Sequence, residues 1–242
     1  MSPEVFQLRP DYCALSIVVR GFAGAEALAP AAAPSESPLT SARPDWSEAH
    51  MESWRAAYRS FGAKPQRTPC SAEALLRRVE AGGRLPAVNA LVDLYNAVSL
   101  RYAIPVGGEN ISAYRGSPRL VRAAGTEAFD TVKDGVAHTE DVPAGEVIWR
   151  DEAGATCRRW NWRQGVRTRI DATTRDLWFV LERLEPMPLP ALLEAGTVLV
   201  DALERMSPEA DVETALIDRS GIGPGPGRGR HDSGSGSPEA RQ

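Results

Sequence analysis

The sequence predicts an α+β protein, a mixed or antiparallel sheet core flanked by helices. Helical periodicity is concentrated in the first half of the chain and alternating, strand-like runs in the second. A chain of 242 residues with ordinary apolar and charged fractions can bury one substantial core. Residues 12–22 (YCALSIVVRGF) have the β-branched and aromatic content of a buried strand. Residues 23–44, rich in alanine, proline and serine, read as a low-complexity loop or linker. Asp45 is placed to cap a helix over about 46–61, with Trp46, Ala49, Trp54, Ala57 and Phe61 as its apolar contacts. Ser71 opens a second helix that ends at Gly82-Gly83.

A third, central helix lies between Pro86 and Pro105. Val88, Leu91, Val92, Tyr95, Val98 and Tyr102 recur at three- and four-residue steps and give it one apolar face. Asn89, Asp93 and Asn96 follow the same steps on a neighbouring stripe. Short polar groups in such a place either bond backbone nearby or present fixed hydrogen bonds to a ligand. Beyond a Pro/Gly loop the period becomes alternating. Residues 119–122, 145–150, 156–162 and 176–182 read as strands, with turns at Lys133-Asp134-Gly135 and at residues 151–154. Pro186, Pro188 and Pro190 precede an amphipathic helix over about 191–206. From Ser207 the chain turns to glycine, proline, serine and charge without a period. The expected organisation is one domain over 1–206 and a disordered tail over 207–242.

Composition excludes several classes. The net charge of −4 makes the whole chain a poor electrostatic nucleic-acid binder, and DNA is not an expected partner. No run of eighteen apolar residues predicts a transmembrane helix, so no membrane partner is expected. Glu4, Arg9 and Asp11 interrupt any signal-like start. Cys13, Cys70 and Cys157 are odd in number and far apart, which suits a reduced cytoplasm. Phosphate-loop, dinucleotide, zinc-protease and serine-elbow motifs are all missing, so no cofactor is expected. His50, His138 and His231 cannot supply a histidine-rich metal site. A nucleophilic triad would rest on His50 or His138, and Cys70 has no base near it in sequence.

The positive feature is residues 157–169, CRRWNWRQGVRTR. Arg158, Arg159, Arg163, Arg167 and Arg169 occur there without one acid, interleaved with Trp160 and Trp162. Guanidinium groups suit phosphates, and indole rings stack on unpaired bases. On a strand, Arg159, Asn161 and Arg163 would share one face, and Arg158, Trp160 and Trp162 the other. Alternatively the tryptophans are core and the arginines pair with acids on neighbouring strands.

Residues 92–98 (VDLYNAV) resemble the Val-Asp-x-x-Asn-x-Val helix of the B3/B4 domain, the tRNA-binding editing domain of the phenylalanyl-tRNA synthetase beta subunit. Residues 116–122 (GSPRLVR), 129–135 (FDTVKDG), 146–149 (EVIW) and 174–179 (TRDLWF) are similar in order and spacing to that domain's later strands, and the resemblance is clearest over 86–182. It implies tRNA or aminoacyl-tRNA as partner and hydrolysis of mischarged aminoacyl-tRNA in trans, by positioning of water and ribose without a protein nucleophile. The alternative is a non-catalytic RNA- or amino-acid-binding module on the same scaffold; an unrelated small-molecule hydrolase is a third. Nothing resembles an ATP-binding aminoacylation domain. By register Tyr95 and Asn96 fall at the family's ligand-side pair. The family's histidine falls at about Gly107, and its glycine-rich loop is replaced by residues 161–165 with Asn161 and Gln164. Its hydroxyl-recognising glutamate falls at Val180, with Glu182 projecting from the same strand face. The resemblance assigns no catalytic residue.

Overall fold

The computed structural model describes residues 1–23, 43–83, 85 and 87–225. Most of the low-complexity loop and Pro86, the expected helix start, lie outside the described residues. In chain order the elements are α1 (Pro3–Leu8), β1 (Cys13–Arg20), α2 (Ser47–Ser60), α3 (Ser71–Glu80), α4 (Ala90–Tyr102) and β2 (Val106–Asn110). A 3-10 turn (Ile111–Ala113) leads to β3 (Arg119–Arg122), β4 (Ala128–Lys133), β5 (Val136–Asp141), β6 (Val147–Arg150), β7 (Ala155–Arg158) and β8 (Arg163–Gln164). Then come β9 (Leu177–Arg183), α5 (Leu189–Met206), β10 (Asp211–Asp218) and β11 (Gly221–Pro224).

The strands form two sheets, one antiparallel in the order β11-β10-β1-β9-β2, the other mixed in the order β3-β6-β7-β4-β5 with β8 on β7. Strand β9 (LWFVLER) is buried on both faces, so it is apolar nearly throughout rather than alternating. Leu177, Phe179 and Leu181 pack with Leu15 and Ile17 of β1 against α4 and α5. The other face, Trp178 and Val180, meets Leu120, Trp149 and Trp160 from the second sheet's side. Trp149 and Trp178 stack edge to face at 5.0 Å between ring centres.

Several expectations change. Helix α4 starts at Ala90, later than expected, because Asn89 caps it: the Asn89 side chain accepts from the Val92 N–H at 2.9 Å. Asp45 does not cap α2, whose boundary residue is Trp46 without a side-chain cap. The Pro/Gly loop after the central helix is strand β2, paired with β9 from Val106 to Asn110. The expected strand over 156–162 stops at Arg158. Arg159 and Trp160 take left-handed backbone angles (φ 47° and 67°), turning the chain before β8. The tail expected to lack structure from Ser207 is corrected over 211–224. Strand β10 pairs with β1 along seven residue pairs, because Val212 and Leu216 have a core to pack on. Residues 226–242 lie outside the described residues.

His50 ties α2 to the core. Its Nε2 accepts from Trp54 Nε1 at 3.0 Å and from the Leu184 N–H at 3.3 Å, so Nδ1 carries the proton and donates to the Ala103 carbonyl at 2.9 Å. Burial pushes the ring down to about 4, against an ordinary 6.5.

Two outcomes are expected. Truncation at Ser207 strips β10 and β11 from the sheet and should lower the thermal midpoint by about 10 °C, checked by calorimetry. Between about pH 4 and 6.5 the unfolded chain binds a proton at His50 that the folded chain refuses. That contribution is therefore complete above 6.5 and lost as pH falls towards 4. Relative to His50→Asn, wild-type stability should rise through this window by up to about 1.4 kcal/mol per pH unit in denaturant titrations.

Candidate functional site

Strand β2 is the edge of the antiparallel sheet, and its two glycines decide the site. A Cβ on Gly108 would lie 2.7 Å from the Tyr95 ring, and one on Gly107 would crowd Val180 at 3.3 Å. Without side chains there, a cavity of about 320 Å³ runs from between the sheets past the β2 edge to α4. Tyr95, Asn96, Asn161, Gln164, Val180 and Glu182, drawn from three separate stretches of sequence, all line it. Arg163 joins them at the wall.

Of the polar stripe on α4, two members serve the backbone. Asn89 caps the helix, and Asp93 accepts from the Val88 N–H at 3.1 Å. Asn96 makes no side-chain hydrogen bond among the described residues and faces the cavity, half-buried. Tyr95 stacks its ring edge to face on Phe179. Burial, with the Glu109 and Asp93 charges, pushes its phenol up to about 12, so it remains a neutral hydroxyl. Gln164 is committed to structure: its amide donates to the Gly108 carbonyl at 3.1 Å and holds β8 against the β2 edge. Val180 is apolar floor.

Glu182 sits at the inner end, 1% exposed. Its Oε1 accepts from Tyr12 Oη at 2.7 Å and Trp149 Nε1 at 3.3 Å, and its Oε2 from Asn161 Nδ2 at 2.9 Å. Asn161 Oδ1 in turn accepts from Tyr58 Oη at 2.8 Å, which fixes the amide's orientation. Burial still outweighs these donors and holds the Glu182 carboxyl up at about 7. A second buried carboxyl, missed in the sequence, is Glu109 on β2. It faces the same cavity, accepts a short hydrogen bond from Tyr114 Oη, and is also pushed up to about 7 by burial. The signal was a lone acid in a Val-Gly-Gly-Glu-Asn run, which looked like loop.

The thiols and imidazoles offer no nucleophilic chemistry here. Cys157 lines the cavity, but burial raises its thiol well above the ordinary range, and burial takes Cys70 up to about 12. His50 is locked in the core, and His138 is exposed on the β4–β5 hairpin.

The family model of the B3/4 domain matches residues 53–212, from α2 through the start of β10. The chain belongs to the B3/4 domain family. The match encloses every cavity residue named above. No curated protein matches the chain.

In this B3/4 domain the basic cluster divides. Arg158 is buried and makes two bonds of 2.9 Å to Glu146, with a third to Glu140 at 2.8 Å. Arg167 grips Asp151 through two bonds of 2.9 Å and donates to the Ala113 carbonyl. These two guanidinium groups are therefore engaged by acids within the protein, the alternative that the sequence left open for the cluster. The expected strand faces also fail, because the left-handed turn puts Trp160 in the core beside Tyr12 and Trp54. Arg159 stacks on Trp162 at 4.2 Å and only brushes Glu146 at 3.6 Å. Arg163 reaches Thr131 at 2.6 Å and the Glu140 carboxylate at 3.8 Å. Arg169 is exposed without a partner among the described residues.

Joint replacement of Arg159, Arg163 and Arg169 by alanine should weaken tRNA binding and flatten its log–log salt slope by about 2. An unchanged slope would assign the whole cluster to internal pairing. Arg167→Ala should act otherwise. It leaves Asp151 buried without its cation, at a cost of about 3 kcal/mol in chemical denaturation.

Proposed function

We propose that the chain binds the aminoacylated 3′ end of tRNA and hydrolyses mischarged aminoacyl esters in trans, in the cytoplasm. The observation that carries this is the unpartnered Asn96 amide, facing a cavity that also gathers Asn161, Val180 and Glu182. An amide both donates and accepts, so it can hold the ribose hydroxyl or the ester carbonyl in line with a water. The volume of about 320 Å³ suits an aminoacyl group lying over Gly107 and Val180. At the inner end, the acceptor capacity that Glu182 and Asn161 keep beyond their internal hydrogen bonds favours a side chain bearing a single donor and disfavours a plain hydrocarbon. Water attacks the carbonyl carbon, the acyl–oxygen bond to the ribose breaks, and the proton passes to the departing ribose oxygen. The residues supply position rather than a covalent intermediate.

A non-catalytic binding module is favoured by one feature: Gly107 stands where the resembled family has its histidine. Single-turnover deacylation of a panel of mischarged tRNAs separates the two. Wild type should hydrolyse at least one of them. Asn96→Ala should lose about a hundredfold in rate with tRNA affinity and thermal midpoint near wild type. Tight binding without hydrolysis of any panel member would leave the binding module.

A further inference from the structure

Six carboxylates are buried among the described residues, and their partners sort them. Glu73 pairs with Arg55 and Arg77, Glu127 with Arg150, Glu146 with Arg158, and Asp151 with Arg167. Glu109 and Glu182 form no salt bridge among the described residues, Arg167 being committed to Asp151 and reaching Glu109 only as a more distant charge, and both line the same cavity. A buried carboxylate without a counter-charge is costly, and a ligand cation would relieve that cost.

The two acids are not equivalent. Glu182 already accepts three hydrogen bonds, close to what its oxygens can take. Glu109 accepts one, from Tyr114, on Oε2. The buried Thr168 hydroxyl has no partner at hydrogen-bond distance and acts on Glu109 only from beyond it, as a second donor that helps to lower it. In the cavity wall the Trp160 indole N–H, fully buried, also finds no acceptor. These polar groups are unfilled within the protein itself.

Position decides which part of a ligand reaches Glu109. It pairs with Trp178 across the strands, whereas Glu182 lies beside Pro105. The two acids therefore share a sheet face four residues apart, about 13 Å along the strand, with Gly107 and Val180 between them. Glu109 follows Gly108, where the Tyr95 ring covers the opposite face of the sheet, and its charge acts on the Tyr95 phenol, so it is the acid at the α4 end of the cavity.

Resting on the aminoacyl-site reading above, we propose that Glu109 is the cation-binding group of the cavity and takes the α-ammonium of the aminoacyl group. Asn96 then meets the ester, and the amino-acid side chain runs over Gly107 and Val180 towards Glu182. A free α-amine becomes a condition for binding, so α-hydroxy and N-acylated esters are rejected at this end.

The test is equilibrium binding of non-hydrolysable 3′-aminoacylamino-3′-deoxyadenosines, comparing each bound compound with its α-hydroxy counterpart. Wild type should prefer the amine by about tenfold or more at about pH 7.5, where most of the α-amine is still protonated. The preference should shrink as pH falls below about 7 and Glu109 takes up its proton. Glu109→Gln should bind both members of a pair alike, while Glu182→Gln keeps the preference. Equal wild-type affinity for the two members, or a preference surviving in Glu109→Gln, overturns the assignment and leaves the aminoacyl site standing. Binding of none of the amines by wild type removes the aminoacyl site itself, and the Glu109 assignment with it. The wild-type comparison and its pH dependence need no variant, so a destabilised Glu109→Gln does not block the decision.

Discussion

The carboxylate of Glu182 is the constraint on which the arrangement depends. It sits on the most buried strand of one sheet and is met by Tyr12 ahead of β1, Trp149 of the other sheet and Asn161 of the turn before β8. Moving an ion-sized group from water into such a place costs several kcal/mol, which hydrogen bonds offset only when their geometry is good. The donors must therefore hold their places, and with them the spacing of the two sheets. The cavity exists because this polar junction occupies a position that a packed apolar interior would otherwise fill.

The same electrostatic demand explains the arginine-rich segment. An acid-free run looks like a surface for phosphates only while its partners are out of view. Glu140, Glu146 and Asp151 are just upstream in sequence, and the β6–β7 hairpin folds the arginines back onto them. What remains for a polyanion is the Arg159–Trp162–Arg163 stack with Arg169, a small basic edge on a mildly acidic protein. Such an edge can guide a single-stranded end without holding the body of a nucleic acid. The cavity acids act on stability in the opposite sense to His50. Held at about 7 against an ordinary 4.5, each favours the folded chain fully below 4.5 and loses that contribution as pH rises through 7.

Much of the fold was legible because it follows local rules. The first strand, the helix from Ser71, the strand ending in Glu182 and the last amphipathic helix all announce themselves by period and by breakers. The errors share one cause: tertiary packing overriding a local signal. Gly107 and Gly108 read as loop, yet they pair with β9 as a strand, where a side chain on Gly108 would strike the Tyr95 ring and one on Gly107 would crowd Val180. Strand β10 has little hydrophobic run of its own and is stabilised by seven pairings to a strand nearly two hundred residues earlier. Arg159 and Trp160 belong to a strand by composition; burial of the indole among Tyr12, Trp54 and Phe61 forces the turn instead. Family register singled out Asn96 and Glu182, and the fold brings both to one cavity. No local pattern marked Glu109, whose significance appears only when four of the six buried acids are seen to have an arginine and Glu109 and Glu182 are not.

That turn also shapes the inner end of the cavity. Two successive non-glycine residues in the left-handed region cost about 1–3 kcal/mol each, and the aromatic cluster around Trp160 is what offsets the cost. Asn161 follows directly, its amide fixed between Tyr58 and Glu182. A regular strand through these residues would have carried Asn161 past Glu182 and continued the ladder with β6. The strained turn instead stops the sheet and aims one amide into the cavity. The hydrolysis proposed above works by positioning, which demands elements that do not yield. The aromatic cluster of Trp160 with Tyr12, Trp54 and Phe61 backs the turn, so this tryptophan, which suggested base stacking, is instead part of the packed interior behind the cavity.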